Sequence, residues 1–105
     1  MVVPDRGDLV RITVEPRQGT RERRLALVVS PALYNSRSGL AIMCAVSRRR
    51  KGYPFEVPLP GTLAETGVVQ ADQLRSTDWR ARHAELVCRV PPAVVSEVLR
   101  KLKPL

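Results

Sequence analysis

Two short runs of unbroken apolar character, Leu25–Val29 and Leu40–Val46, constrain this chain more than any other feature. Each is too short for a core helix and each ends at a break, Ser30-Pro31 after the first and Ser47 after the second, so both read as strands buried on two faces. The connection between them is about ten residues, too few for the helix of a parallel crossover, which makes antiparallel pairing the expected arrangement. The start of the first run then lies beside the end of the second. That brings Arg24 and Ser47 to one rim of the sheet.

The flanking segments fit around this pair. Asp8–Val14 alternates, with Val10, Ile12 and Val14 on one face, as a half-buried strand does. Arg17–Arg24 carries four Arg, one Glu and Gly19 without an apolar residue, and reads as an exposed basic loop. Ala32–Gly39 is a polar connection with room for one helical turn. Phe55, Val57 and Leu59 alternate with Pro54, Glu56 and Pro58, and prolines at alternate positions place such a strand at a sheet edge. Further short strands are expected at Gly67–Gln70, Gln73–Ser76 and Glu85–Val90, the last with Leu86, Cys88 and Val90 on one face. After Pro91-Pro92 the period becomes helical, through Val94, Val95, Val98, Leu99 and Leu102, with Arg100, Lys101 and Lys103 at the end where the helix dipole favours cations. The pattern predicts a mainly β fold, a strongly bent antiparallel sheet or partly open barrel with a C-terminal helix packed on it. At 105 residues, a single domain spanning 1–105 is expected.

Charge narrows the partners. The net charge is +8, and 15 of the 18 basic residues are Arg, whose planar fork grips phosphate bidentately. Both basic segments, Arg17–Arg24 and Arg48–Lys51, emerge at the Arg24–Ser47 rim and flank one cleft, an arrangement suited to a polyanion. No apolar run is long enough to span a membrane, and Met1–Asp8 has acids where a signal peptide would be apolar, so a cytoplasmic protein with no membrane partner is expected. Cys44 and Cys88 sit in apolar runs without a CxxC partner and read as buried reduced thiols; with His83 as the one histidine, neither a His- or Cys-rich zinc site nor a catalytic His pair within one chain can form. No metal or cofactor is expected. His83 reads as an exposed polar residue, while Trp79 and Tyr53 either stack bases or serve the core.

Three strings then resemble one family, in order and with similar spacing: Arg24–Pro31 (RLALVVSP) followed by Tyr34-Asn35, Lys51–Val57 (KGYPFEV), and Ala71–Arg82 (ADQLRSTDWRAR). They look like the MazF branch of the MazF/PemK toxins, endoribonucleases of bacterial toxin–antitoxin pairs. The resemblance implies an SH3-like, CcdB/PemK-type antiparallel barrel with a C-terminal α-helix and a homodimer. It also implies ribosome-independent, metal-independent and sequence-selective cleavage of single-stranded RNA, and a cognate acidic antitoxin. The family's catalytic Arg falls on Arg24 and its catalytic Thr or Ser on Ser47. Leu25 replaces the proline usual after that Arg, and the preceding loop is shorter than in the sequences this one resembles most. Asp72 and Gln73 match an Asp-Gln pair near the family's active site. The substrate-contacting set expected is Glu22, Arg23, Arg48, Arg49, Arg50, Lys51, Asp72, Gln73, Arg80 and Arg82.

The chemistry suits these residues on physical grounds. In RNA the 2′-hydroxyl can attack its neighbouring phosphorus, leaving a 2′,3′-cyclic phosphate and a 5′-hydroxyl, so the protein has to stabilise charge rather than supply a nucleophile. Arg24 can donate two parallel hydrogen bonds to the phosphorane and Ser47 a third, each such donor worth roughly 3 to 4 kcal/mol when removed singly. Arg24 is also a candidate acid toward the leaving 5′-oxygen, and the base is left open. The alternative reading is a non-catalytic toxin of the CcdB type, which poisons a topoisomerase, or an inert RNA-binding barrel.

Overall fold

The alternating segment at the start of the chain forms β1 (Asp8–Val14) in the computed structural model, which describes residues 2–104. It is followed by β2 (Glu22–Val28), α1 (Ala32–Ser38), β3 (Ala41–Ser47), β4 (Glu56–Pro58), a 3₁₀ turn at Gly61–Thr66, β5 (Val68–Thr77), β6 (Glu85–Arg89) and α2 (Pro92–Leu102). The six strands make one sheet in the order β4-β5-β3-β2-β1-β6, and every neighbouring pair is antiparallel. The two apolar runs pair as expected, Ala26 opposite Ala45, Leu27 opposite Cys44 and Val28 opposite Met43. The proline-flanked strand β4 lies at an edge.

Strand boundaries depart from the sequence reading where polarity hid the ladder. Glu22, Arg23 and Arg24 belong to β2 rather than to a loop, because they pair with Val14, Thr13 and Ile12 of β1. A backbone ladder is indifferent to charged side chains that point to solvent. The two short strands expected at Gly67–Gln70 and Gln73–Ser76 are one strand, β5, with a pronounced irregularity. Cys44 faces Leu74 but Val46 faces Val69, so Gln70–Gln73 bulge away from β3 and the sheet curls there. The polar connection after the first run is the seven-residue helix α1, closed by Gly39 in the left-handed conformation.

The curl gives the sheet two packed faces. On one, Leu9, Leu27, Cys44, Val57 and Val69 meet Val94, Val95 and Val98 of α2. On the other, Val10, Ala26, Val28, Ala41 and Met43 gather around Trp79. Leu99 is exposed instead of buried with the rest of its stripe, since it lies about 100° round the helix from Val98. Leu25 is half-buried, so the first run is not enclosed on both faces along its length; Cys88 is half-buried, and Leu86, expected on its face, is largely exposed where β6 slips register against β1.

Trp79 and the Ser30-Pro31…Tyr34-Asn35 string turn out to be structural. Asn35 is fully buried and donates from Nδ2 to the carbonyls of Pro4 (2.7 Å) and Ser30 (3.0 Å), while its own carbonyl accepts the Trp79 indole N–H at 3.1 Å. Ser30 Oγ in turn accepts the Ile42 N–H at 2.8 Å, tying the end of β2 to β3. Buried polar groups satisfied this fully hold one arrangement of the strands they join. No helix among the described residues is long and apolar enough to cross a membrane.

Candidate active-site groove

The β2–β3 pairs run out to Ala26 opposite Ala45, and two residues further along each strand stand Arg24 and Ser47. Alternation then turns both side chains to the face that carries Ala26 and Met43, where the sheet is left open at this end. The result is a groove of about 450 Å³ lined by Arg24 and Ser47 at one end, with Ala26, Met43 and Ala45 as its floor and Gln70, Gln73 and Arg75 along the bent strand β5. Arg24 is half exposed, and Glu22, two residues back on the same strand face, accepts from both Nε (3.0 Å) and Nη2 (2.8 Å). An exposed pair of this kind is worth no more than about 1 kcal/mol, so a phosphate can take Glu22's place at little cost. Ser47 Oγ accepts the Arg49 N–H at 3.1 Å, which turns the chain out of β3 into the basic run.

That run is held by an acid. Glu56 is buried, and its carboxylate accepts the backbone N–H groups of Lys51 (3.0 Å), Gly52 (2.8 Å) and Tyr53 (3.3 Å). Burial pushes this carboxyl up, but those three donors and the charge of Arg50 outweigh it and leave the group below the ordinary glutamate range. The KGYPFE string is thus a clamp that holds the end of the Arg48–Lys51 run against β4. Because the folded-state value is lowered, the clamp's contribution is fully present above the ordinary glutamate value and is lost as pH falls through the lowered one. Glu56→Gln should therefore raise amide exchange at Lys51, Gly52 and Tyr53 at neutral pH and flatten the acid limb of the melting curve. Wild-type exchange rates in the variant would remove the clamp.

The family model that describes PemK-like, MazF-like toxins of type II toxin–antitoxin systems matches residues 5–105. This chain belongs to that family. It is 38% identical over 105 residues to the Escherichia coli K12 endoribonuclease toxin MazF, covering 98% of this chain and 94% of that protein. With the Escherichia coli endoribonuclease PemK it shares 33% identity over 106 residues, covering 93% and 78% respectively. Among solved structures, a MazE–MazF crystal form from Deinococcus radiodurans superposes with a TM-score of 0.92 at 50% identity, covering 98% of this chain and 95% of that one. The expected fold, mainly antiparallel β with a C-terminal helix, is the one observed.

Within the family fold, the residues expected to contact substrate divide into three groups. Arg24, Ser47 and Gln73 line the groove and Glu22 lies against Arg24, while Arg48, Arg49, Arg50 and Lys51 follow Ser47 in the chain, exposed and outside that lining. Arg23 turns the other way, and Asp72, exposed in the bulge, is not part of the lining. Arg23, adjacent to Arg24 and so on the opposite strand face, bonds Thr13 Oγ1 at 2.6 Å and the Glu85 carboxylate at 3.1 Å. Burial chiefly pushes the Cys44 thiol up to about 11, and the Asp72 charge adds to that rise. Arg80 and Arg82 lie in the turn after β5, Arg80 stacked 4.8 Å from the centre of the Trp79 ring, and neither lines the groove. The cleft is accordingly less crowded with charge than expected, since Arg21 and Arg23 are paired with Glu15 and Glu85. Among the described residues, no three of His, Cys, Asp and Glu gather as a metal site requires. Sequence reasoning missed Gln70, Arg75 and Thr77 as groove residues; alternation from Gln73 through Arg75 to Thr77 along one continuous strand was the signal.

Proposed function

We propose that the protein is a sequence-selective endoribonuclease acting on single-stranded RNA in the cytoplasm, independently of the ribosome, and restrained by a cognate antitoxin. The observation that carries this reading is that Arg24 and Ser47, on adjacent strands, both line one open groove, in a chain of this family. Relatives named endoribonucleases support it over a topoisomerase-poisoning toxin.

In this reading the RNA 2′-oxygen attacks the adjacent phosphorus and the P–O5′ bond breaks. The products are a 2′,3′-cyclic phosphate and a 5′-hydroxyl end. The 2′-hydroxyl proton leaves to a base and the 5′-oxygen gains one, so the reaction needs neither water nor an electron carrier. Arg24 exchanges Glu22 for the phosphoryl oxygens and holds the charge that grows there, with Ser47 adding a third donor. Arg48, Arg49, Arg50 and Lys51 track the backbone beyond the scissile phosphate. The solved Deinococcus MazE–MazF complex supports a protein inhibitor, and an acidic segment laid along this groove matches the charge it must cover. A homodimer and a single catalytic domain belong to the same reading.

Purified protein in excess EDTA is expected to cut single-stranded RNA and leave 5′-hydroxyl ends that accept phosphate from a kinase without prior dephosphorylation. Activity lost in EDTA and restored by Mg²⁺ would overturn the mechanism. RNA left whole under both conditions, in protein with a cooperative melt, would overturn the activity.

A further inference from the structure

The groove does not end at Arg24 and Ser47. Its far end carries a second arginine, Arg75, whose register partner on β3 is Met43, four residues from Ser47. Met43 in turn faces Val28, four residues from Arg24. Four residues along the strands and two strands across put the backbones of Arg24 and Arg75 about 16 Å apart. Between them the lining is uncharged: small and apolar side chains below, Ala26, Met43 and Ala45, and the amides of Gln70 and Gln73 to one side.

Arg75 is exposed and, among the described residues, its guanidinium takes part in no ion pair or side-chain hydrogen bond, whereas Arg21, Arg23, Arg24, Arg89 and Arg100 each hold an acid. No carboxylate lines the groove. Arg24 at the near end is already paired with Glu22, which leaves the Arg75 guanidinium as the uncompensated charge of the groove lining among the described residues. The spacing is that of a polymer with repeating charge, not of one small anion.

We propose that Arg75 forms a second phosphate subsite, gripping the RNA backbone roughly two to three nucleotides from the scissile bond. This rests on the endoribonuclease reading and extends it. The two arginines hold the ends of a short stretch of single strand, and the neutral floor and the two glutamine amides between them face the bases, which a phosphate-only track would not need. A duplex is excluded from such a groove because its bases are not free to turn toward the floor. Arg75 touches a remote phosphate, so its energy acts on binding and register more than on the chemical step.

The test compares wild type, Arg75→Gln and Arg75→Lys on a ladder of RNA oligonucleotides containing one mapped cleavage site and shortened in turn from each end. On the longest strand Arg75→Gln is expected to raise KM roughly tenfold, the worth of one charge-assisted contact, while kcat falls less than about threefold. The salt dependence of binding, read in an Arg24→Ala background, should flatten by about 0.7 in log–log slope, and Arg75→Lys should restore the slope. Shortening from one end, and not the other, should shrink the KM penalty stepwise. A kcat loss with KM unchanged, or a penalty independent of length, would overturn the subsite. Wild type that cuts while Arg75→Gln matches it on every strand sinks the subsite alone; wild type that neither binds nor cuts RNA sinks the endoribonuclease reading and the subsite with it.

Discussion

Arg24→Ala is expected to lower turnover at saturating RNA by roughly a thousandfold, the upper end of what losing one preorganised donor to a developing oxyanion costs. The upper end applies because Arg24 brings a full charge and two parallel N–H groups, where a neutral donor brings one. Ser47→Ala removes a single neutral donor and should cost roughly a hundredfold. The fold should not notice the first change: Arg24 is half exposed and its one ion pair, with Glu22, is a surface pair. Thermal melts within about 0.5 kcal/mol of wild type are expected for Arg24→Ala, the usual range for surface substitutions. Lysine at position 24 supplies charge without the fork and should fall between wild type and alanine. Single-turnover cleavage of a labelled RNA reads all three variants, and full activity in Arg24→Ala would remove the arginine from the chemistry.

The residues of this site leave physical signals of different strength in the sequence. That Arg24 and Ser47 reach one groove was legible because it follows from two apolar runs and the short connection between them: length forces antiparallel pairing, and antiparallel pairing fixes which ends meet. The sharp hydrophobic boundaries at Ser30 and Ser47 did the rest. Face was harder. Arg23 and Arg24 are neighbours of identical type, and only the ladder with Thr13 and Ile12 shows that one turns toward Glu85 and the other into the groove. Glu56 looked like the outward member of an alternating edge strand, yet it is buried, because its partners are backbone N–H groups of the loop before it and backbone donors leave no trace in composition. The β5 bulge was invisible for a related reason. Small Ala71 and polar Asp72 break the apolar pattern, so the chain reads as one strand ending at Gln70 and another starting at Gln73, and the groove wall that the bulge creates was lost with it.

Gly67→Ala should be the most disruptive single substitution outside the apolar core, by about 2 to 5 kcal/mol in unfolding free energy. Two costs combine. Gly67 has φ +113°, a region that side-chain-bearing residues rarely adopt, and a Cβ there would overlap the Ser47 carbonyl oxygen and lie 2.7 Å from its carbonyl carbon and 2.8 Å from Arg48 Cα. All three are backbone atoms, so no side-chain rotation relieves the contact. The bare Gly67 backbone is what allows β5 to close on the end of β3, where Val68 faces Ser47. Pushing that junction apart moves Ser47 and the start of the Arg48–Lys51 run together, so the residual folded protein should also lose cleavage by more than Ser47→Ala does. Gly61→Ala separates the two costs: it has φ +56° with open space around the added methyl, and should cost about 1 kcal/mol from backbone strain and leave cleavage in place. Denaturant unfolding of both variants, with single-turnover rates taken on the folded fraction, distinguishes them. Equal stabilities for Gly67→Ala and Gly61→Ala would mean that the junction yields without cost, and that Ser47 is held in place by its own strand and not by the glycine beside it.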